Sequence, residues 1–177
     1  MKASRKDGEN STSFVIKIEF IFPMIDHDTM FELITDVPKR VVWDSRYVDI
    51  ELVEHDHANN TCLVFCRTPK PVIPLVTQRE MLLKAFILKN GFGQDKHVNV
   101  ATSVDHPSKP IGTGYFDYVR AQCNLITAVV EKNPEGDGTK LTEIREVDLK
   151  GSMPYNVTHK ISCGMPGKSF EVLNKVV

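Results

Sequence analysis

The chain has 177 residues, of which 41% are hydrophobic and 25% are charged, and its formal net charge is −1. This length and composition indicate one globular domain with a substantial core, and they exclude the strongly basic surface typical of nucleic-acid binding. No apolar run approaches the ~20 residues of a membrane span, and the polar N-terminus has no signal-peptide core, so we expect a cytoplasmic protein.

The first 13 residues are polar and predict a flexible tail ahead of a domain that spans residues 14–177. Apolar and polar side chains then alternate over residues 14–22, which predicts a half-buried strand. Over residues 26–37 the apolar spacing becomes helical, and Pro38 is expected to end this helix.

Six further segments have the alternation or the apolar character of strands, and turns rich in Gly, Pro, Asn and Asp separate them. They are residues 47–55, 61–68, 76–90, 97–104, 115–132 and 139–150. Residues 154–177 predict a long C-terminal helix that Gly164, Pro166 and Gly167 kink or split. A run of strands with helices at its ends predicts an α+β fold with an antiparallel sheet.

Five short motifs follow one another in order along these segments. They are Arg40-Val-Val-Trp43-Asp44, Gln78-Arg79-Glu80, His106-Pro107, Val119-Arg120-Ala121 and Asp148-Leu-Lys-Gly151-Ser-Met-Pro154. In this order they resemble the START family of lipid-transfer domains. The resemblance implies a helix-grip fold, in which a curved antiparallel sheet wraps around a long C-terminal helix and encloses one lipid. It also implies an N-terminally short version that lacks the usual first helix and two strands.

The resemblance suggests two kinds of polar ligand contact. In phosphatidylcholine-binding members the arginine of the first motif contacts the lipid phosphate, which Arg40 would do here with two parallel hydrogen bonds. The alternative is a structural role, in which Arg40 bonds to Asp44, to Asp36 or to the backbone. Sterol-binding members use one acid and one arginine in the cavity, although each such residue can instead belong to a buried structural pair. The candidates here are Arg120, Glu143, Arg145 and Glu146.

Choline-binding members build an aromatic cage on three strands, because quaternary ammonium recognition depends on aromatic faces. Phe65 or Cys66, Met81 and Asn124 occupy the corresponding places here. At most one of these side chains is aromatic, so phosphatidylcholine is not favoured, and we expect Phe65, Met81 and Asn124 to contact another lipid. Arg67 suits an anionic headgroup.

Residues 69–76 connect two predicted strands and combine three prolines with several aliphatic residues. In the family, the loop at this place and the C-terminal helix guard the lipid entrance. The resemblance therefore makes Val72, Ile73 and Leu75, together with Met165 on the helix, candidates for a gate that touches membranes. The alternative is that this connection packs on its own domain.

Catalytic motifs are missing from the sequence, including the nucleophile elbow, the phosphate-binding glycine loop and the His-Glu-x-x-His zinc motif. We therefore expect a non-enzymatic monomer, without metal or cofactor, that binds one phospholipid, sterol or fatty-acyl ligand and transfers or senses it at membrane surfaces. Two alternatives stay open. One is an enzyme of the wider helix-grip superfamily, a cyclase or hydrolase with a hydrophobic substrate, and the other is a ligand-controlled regulatory module of a larger protein.

Overall fold

A computed structural model of the chain contains nine strands and four helices in the part that it describes. It describes residues 2–8, 12–70, 76–93, 95–112, 118–151, 153–159 and 165–176, with the backbone alone for residues 156, 165–167 and 174–176. The strands are β1 (Lys2–Asp7), β2 (Ser13–Phe22), β3 (Asp49–Asp56), β4 (Thr61–Arg67), β5 (Arg79–Leu88), β6 (Lys96–Ser103), β7 (Val119–Arg120), β8 (Gln122–Lys132) and β9 (Thr139–Asp148). The helices are α1 (His27–Thr35), α2 (Val37–Trp43), α3 (Tyr155–His159) and α4 (Met165–Val176).

All nine of these strands join one sheet, in the order β1-β2-β9-β8-β6-β5-β4-β3. Every neighbouring pair in this order is antiparallel, and the short β7 runs parallel to the start of β5. Helices α1, α2 and α4 pack on one face of the sheet, which is called the inner face below, and the opposite face is the outer face. The predicted α+β class with an antiparallel sheet is confirmed.

The N-terminal segment differs from the predicted flexible tail. Residues 2–7 form β1, which pairs with β2 from Lys2 opposite Glu19 to Asp7 opposite Phe14. The prediction was wrong because backbone hydrogen bonds make this pairing, and a polar edge strand leaves no apolar pattern in the sequence. The charged side chains of this edge strand also discourage pairing with another chain.

Two consecutive helices replace the single helix predicted after β2. The carboxylate of Asp26 caps α1 by accepting a hydrogen bond from the Thr29 N–H at 3.0 Å. Asp36 ends α1 and caps α2, where it accepts from the Lys39 N–H at 3.0 Å. Pro38 therefore lies in the first turn of α2, where its missing N–H is not needed, and it does not end the helical segment as predicted.

The C-terminal segment contains two short helices instead of one long helix. Helix α3 has 5 residues and α4 has 12, and residues 160–164 between them lie outside the described part. Pro166 falls in the first turn of α4, where proline is tolerated. Phe170 of α4 packs against Phe20 and Trp43, with ring centroids 4.6 and 5.6 Å apart, and so places the last helix on the inner face.

Alternation along the strands decides which side chains reach the inner face. On β4 the inner-face side chains are Cys62, Val64 and Cys66, and on β5 they are Met81, Leu83, Ala85 and Ile87. Leu63, Phe65 and Leu82 lie on the outer face and form a second, smaller apolar cluster there. None of the described helices is long and apolar enough to cross a membrane.

Candidate functional site

A cavity lies on the inner face, between the α1–α2 pair and strands β3, β4, β5, β6 and β8. Its walls are mostly aliphatic, and Thr35, Arg40, Tyr47 and Asn99 bring polar groups to them. The free space in this cavity is about 40 Å³, far below the roughly 300–1,000 Å³ of a typical ligand pocket. A lipid therefore needs the walls of this cavity to separate.

Small side chains on the strands create this space. Cys62, Ala85 and Ala101 lie side by side on β4, β5 and β6, and their short side chains leave room beneath the helices. Burial raises the pKa of the Cys62 thiol and raises that of Cys66 to about 12, so both thiols stay protonated at neutral pH. They serve as small wall residues and not as nucleophiles.

A buried charge cluster borders the cavity, and it consists of Arg40, Asp44, Arg46, Glu143 and Arg145. Arg46 donates from Nε and Nη2 to the two oxygens of Asp44, at 2.6 and 2.7 Å. Arg40 Nε donates to Asp44 Oδ2 at 2.9 Å across one helical turn. Asp44 thus binds two guanidinium groups at the end of α2, with the charge-assisted geometry that makes such hydrogen bonds strong.

The other half of the charge cluster joins this region to β9. Arg46 Nη1 donates to Glu143 Oε2 at 2.9 Å, and Arg145 Nη2 donates to Glu143 Oε1 at 3.1 Å. The guanidinium of Arg145 also lies 3.5 Å from the Tyr47 hydroxyl. Because Glu143 and Arg145 are two positions apart on one strand, both side chains reach the inner face.

Three guanidinium groups and two carboxylates leave the charge cluster with one net positive charge. Burial by itself raises the pKa of the Asp44 and Glu143 carboxyls, but the neighbouring arginines outweigh it and lower both values. Both carboxylates are therefore ionised at neutral pH. The uncompensated positive charge favours an electron-rich group of a ligand at this end of the cavity.

Among the predicted ligand-binding residues, Arg40, Met81 and Glu143 lie on the inner face. Arg40 lines the cavity, and Glu143 belongs to the charge cluster. Met81 is buried beside the cavity strands, with its sulfur 3.4 Å from the Cys123 thiol. Because Arg40 both pairs with Asp44 and lines the cavity, the structural and the ligand-binding interpretations of this residue are compatible.

Four other candidates, Phe65, Arg67, Arg120 and Asn124, lie on the outer face and do not reach the cavity. Phe65 and Arg67 alternate with Cys66 on β4 and so point away from it. Asn124 occupies the bulge of β8, and its amide donates to Glu146 Oε1 at 3.1 Å. The expected contacts inside the cavity are corrected for these residues, because a strand that is apolar on both faces does not reveal which face is inward.

The outer-face candidates instead hold a structural cluster around the Phe65 ring. Arg67 and Lys109 each lie 4.8 Å from the ring centroid. Arg120 donates two hydrogen bonds to Glu80 Oε1, at 3.0 and 2.8 Å. The structural alternative for Arg120 therefore matches its contacts.

The candidate gate residues are not placed by the structure. Val72, Ile73 and Leu75 lie outside the described residues, and of Met165 only the backbone is described, as the first residue of α4. Their contact with membranes stays a prediction.

Sequence reasoning missed Arg46, Tyr47 and Asn99 as residues of the site. Arg46 follows α2, a helix that the apolar spacing did not predict. Nothing in the sequence therefore indicated where the Arg46 side chain points. Glu143 and Arg145 carried a usable signal, because they share their face of β9 with the buried Leu141. Asn99 carried a misleading signal, since a polar residue between two valines indicates a solvent-facing position.

A second group of polar side chains lies away from the cavity, where ligand atoms of His27, Asp28 and His97 fall within 4.8 Å of one another. His97 Nδ1 accepts a hydrogen bond from the Asn90 N–H at 3.1 Å, and its Nε2 lies 3.0 Å from Asp28 Oδ1. In the neutral ring the proton must then sit on Nε2 and point to the carboxylate. Both ring nitrogens are thus engaged, which suits a structural hydrogen-bond chain and not a metal ligand.

A single antiparallel sheet with helices on its inner face and a partly polar cavity beneath them defines the helix-grip class of α+β proteins. The family model of the START domain matches residues 2–167. This chain therefore belongs to the START domain family.

Solved structures share the fold at low sequence identity. Human StAR-related lipid transfer protein 5 matches with a TM-score of 0.79 and 20% identity, over 93% of this chain and 75% of that chain. Human STARD10 matches with a TM-score of 0.76 and 21% identity, over 94% of this chain and 64% of that chain. The Zhui aromatase/cyclase of Streptomyces sp. R1128 matches with a TM-score of 0.56 and 7% identity, over 91% of this chain and 88% of that chain. Curated protein sequences contain no match.

Proposed function

We propose that this chain binds one lipid molecule in the inner-face cavity and transfers or senses it at membrane surfaces. The observation that carries the proposal is a buried charge cluster with one net positive charge beside a mostly aliphatic cavity. Aliphatic walls stabilise an apolar tail by about 0.8 kcal/mol per buried methylene, and a few polar groups orient the ligand. The lipid-transfer proteins among the structures with this fold support the same conclusion.

Arg40 is the member of the charge cluster that we assign to ligand contact. Its side chain is 20% exposed, whereas those of Arg46 and Arg145 are 5% and 12% exposed. The two deeper arginines neutralise Asp44 and Glu143. Arg40 can then offer its remaining N–H groups to a phosphate, carboxylate or hydroxyl oxygen of the lipid.

Entry of a lipid requires the walls of the cavity to move apart. We assign this movement to α4 and to the connection formed by residues 69–76, with Val72, Ile73, Leu75 and Met165 as the gate. A gate that inserts aliphatic side chains into the membrane would let a lipid pass without crossing water.

The charge cluster favours ligand binding over proton-transfer catalysis. A general acid at neutral pH needs a raised carboxyl pKa, whereas the pKa values of Asp44 and Glu143 are lowered by their arginine partners. The likeness to an aromatase/cyclase is therefore a likeness of fold alone.

Native mass spectrometry tests the proposal. We expect wild-type protein to carry one lipid per chain after purification from cells, or after incubation with vesicles of phosphatidylcholine, phosphatidic acid and cholesterol. Arg40→Met should reduce the occupancy of lipids with an anionic group about tenfold or more, because it removes charge-assisted hydrogen bonds. The outer-face control Asn124→Ala should keep wild-type occupancy. A folded wild-type protein that binds no lipid under either condition would contradict the proposal.

A further inference from the structure

Asn99 on β6 carries a buried polar atom for which the described part of the chain supplies no partner. Its Oδ1 is shielded from solvent and accepts no hydrogen bond from the described residues. The same side chain lines the inner-face cavity. A buried acceptor without a partner destabilises the folded state, so its presence needs an explanation.

Asn99 lies on the face of β6 where a polar residue is not expected. Asn99 and Ala101 reach the cavity, and alternation directs Val98 and Val100 to the outer face. The hydrophobic effect alone would turn the valines inward and leave the asparagine in solvent. The sheet register does the opposite and places a carboxamide inside an aliphatic cavity.

The neighbours of Asn99 leave space for a ligand to reach it. In the sheet register Asn99 lies opposite Ala128 of β8, and Ala128 lies opposite Glu143 of β9. Two strand spacings separate the backbones of Asn99 and Glu143 by about 10 Å. The Ala128 methyl lies between them on the sheet. Arg40 of the charge cluster lines the cavity together with Asn99, so one ligand can contact both Arg40 and Asn99.

We propose that Asn99 Oδ1 accepts a hydrogen bond from the bound lipid and selects lipids that carry an uncharged donor, an alcohol O–H or an amide N–H. The inference rests on the proposed function and names the ligand class for the same cavity. An ester or ether oxygen cannot donate, so a lipid with only such groups would leave Oδ1 unpaired inside the complex. The preference for a lipid with a donor then arises mainly because a lipid without one leaves the buried acceptor unpaired, and less from the hydrogen bond that the donor forms.

Two probes of equal size and similar apolarity differ in whether they can donate a hydrogen bond. Dodecan-1-ol and methyl undecyl ether have the same number of heavy atoms, and only the alcohol donates. In competition followed by native mass spectrometry, we expect wild-type protein to prefer the alcohol about tenfold to a hundredfold. Asn99→Leu, which keeps a similar side-chain volume, should lose this preference, and the outer-face control Val100→Leu should retain it.

Thermal unfolding of the same variants provides a second readout. Because Asn99 Oδ1 has no partner among the residues that the structure describes, Asn99→Leu should have a Tm equal to or above that of the wild type. A fall of several degrees would identify a structural carboxamide and overturn the proposal, and so would equal affinity of the wild type for alcohol and ether, or a preference that persists in Asn99→Leu. If the wild type binds neither probe nor any vesicle lipid, the proposed function fails and this inference fails with it.

Discussion

Arg46 Nη1 donates a hydrogen bond to Glu143 Oε2 at 2.9 Å, although 97 positions separate the two residues in the chain. Each side chain is 5% exposed. The pair joins the turn after α2 to strand β9 and holds the charge cluster beside the cavity. Its removal should therefore affect the fold and the site together.

Arg46→Met should lower the free energy of unfolding by about 3–5 kcal/mol, because it leaves Asp44 and Glu143 buried with fewer partners. Urea denaturation measures this change. Lys39→Met is a control at an exposed ion pair, where the side chains of Lys39 and Glu32 are 47% and 51% exposed, and it should change stability by less than about 1 kcal/mol. Equal changes in the free energy of unfolding for the two substitutions would show that the charge cluster stabilises the fold no more than an exposed ion pair does.

Acid should destabilise the protein through Asp44 and Glu143. The pKa values of both are lowered in the folded state, so the unfolded chain binds more protons as the pH falls through its ordinary carboxyl pKa values, about 3.9 and 4.3. The stabilisation is therefore present at neutral pH and decreases below about pH 5. Urea midpoints between pH 7 and pH 3 measure this decrease, and Glu143→Gln should show a shallower one. An unchanged slope in that variant would exclude Glu143 as a contributor.

Phe170 should anchor α4 to the rest of the domain. It is 1% exposed and packs against Phe20, Phe22 and Trp43, so Phe170→Ala should destabilise the protein by about 3–5 kcal/mol. Val172 on the same helix is 39% exposed, and Val172→Ala should have an effect within about 0.5 kcal/mol. Urea denaturation of both variants makes the comparison, and similar stabilities would mean that α4 contributes little to the fold.

The candidate gate can be tested with charge in place of aliphatic side chains. Ile73→Asp combined with Leu75→Asp should slow lipid transfer between fluorescently labelled vesicles, because a carboxylate opposes membrane insertion. Folding and the binding of a lipid already inside should not change. Phe92→Asp, at a side chain that is 72% exposed in the β5–β6 turn, is the control and should transfer at the wild-type rate. An unaffected rate in the double variant would exclude the segment as the membrane contact.

The motifs that indicate the family mostly hold the fold together. Arg79 donates to the carbonyls of Leu149 and Lys150, at 3.1 and 2.9 Å. Trp43 Nε1 donates to the Leu33 carbonyl at 3.0 Å. Because neither Trp43 nor Arg79 lines the cavity, these motifs say little about the ligand.

The sequence by itself determined the class of fold, since alternation and turn chemistry are local properties that appear directly in the order of residues. It did not determine β1, whose pairing depends on backbone hydrogen bonds with β2. It also did not determine which face of β4 or β6 turns inward. Phe65 was assigned to the wrong face and Asn99 was missed for this reason. The register with neighbouring strands selects the face, and that register depends on contacts distant in the chain.

The arrangement of the candidate site was therefore decided by the tertiary structure. Arg40 could be predicted from its motif, and Glu143 from its position in a late strand. Only the folded chain brings Arg46 between Asp44 and Glu143, and only the sheet register turns Asn99 into the cavity. Partners from distant segments allow a charge to be buried, and pairing with neighbouring strands decides which face a strand residue occupies. No local pattern in the sequence records either kind of proximity.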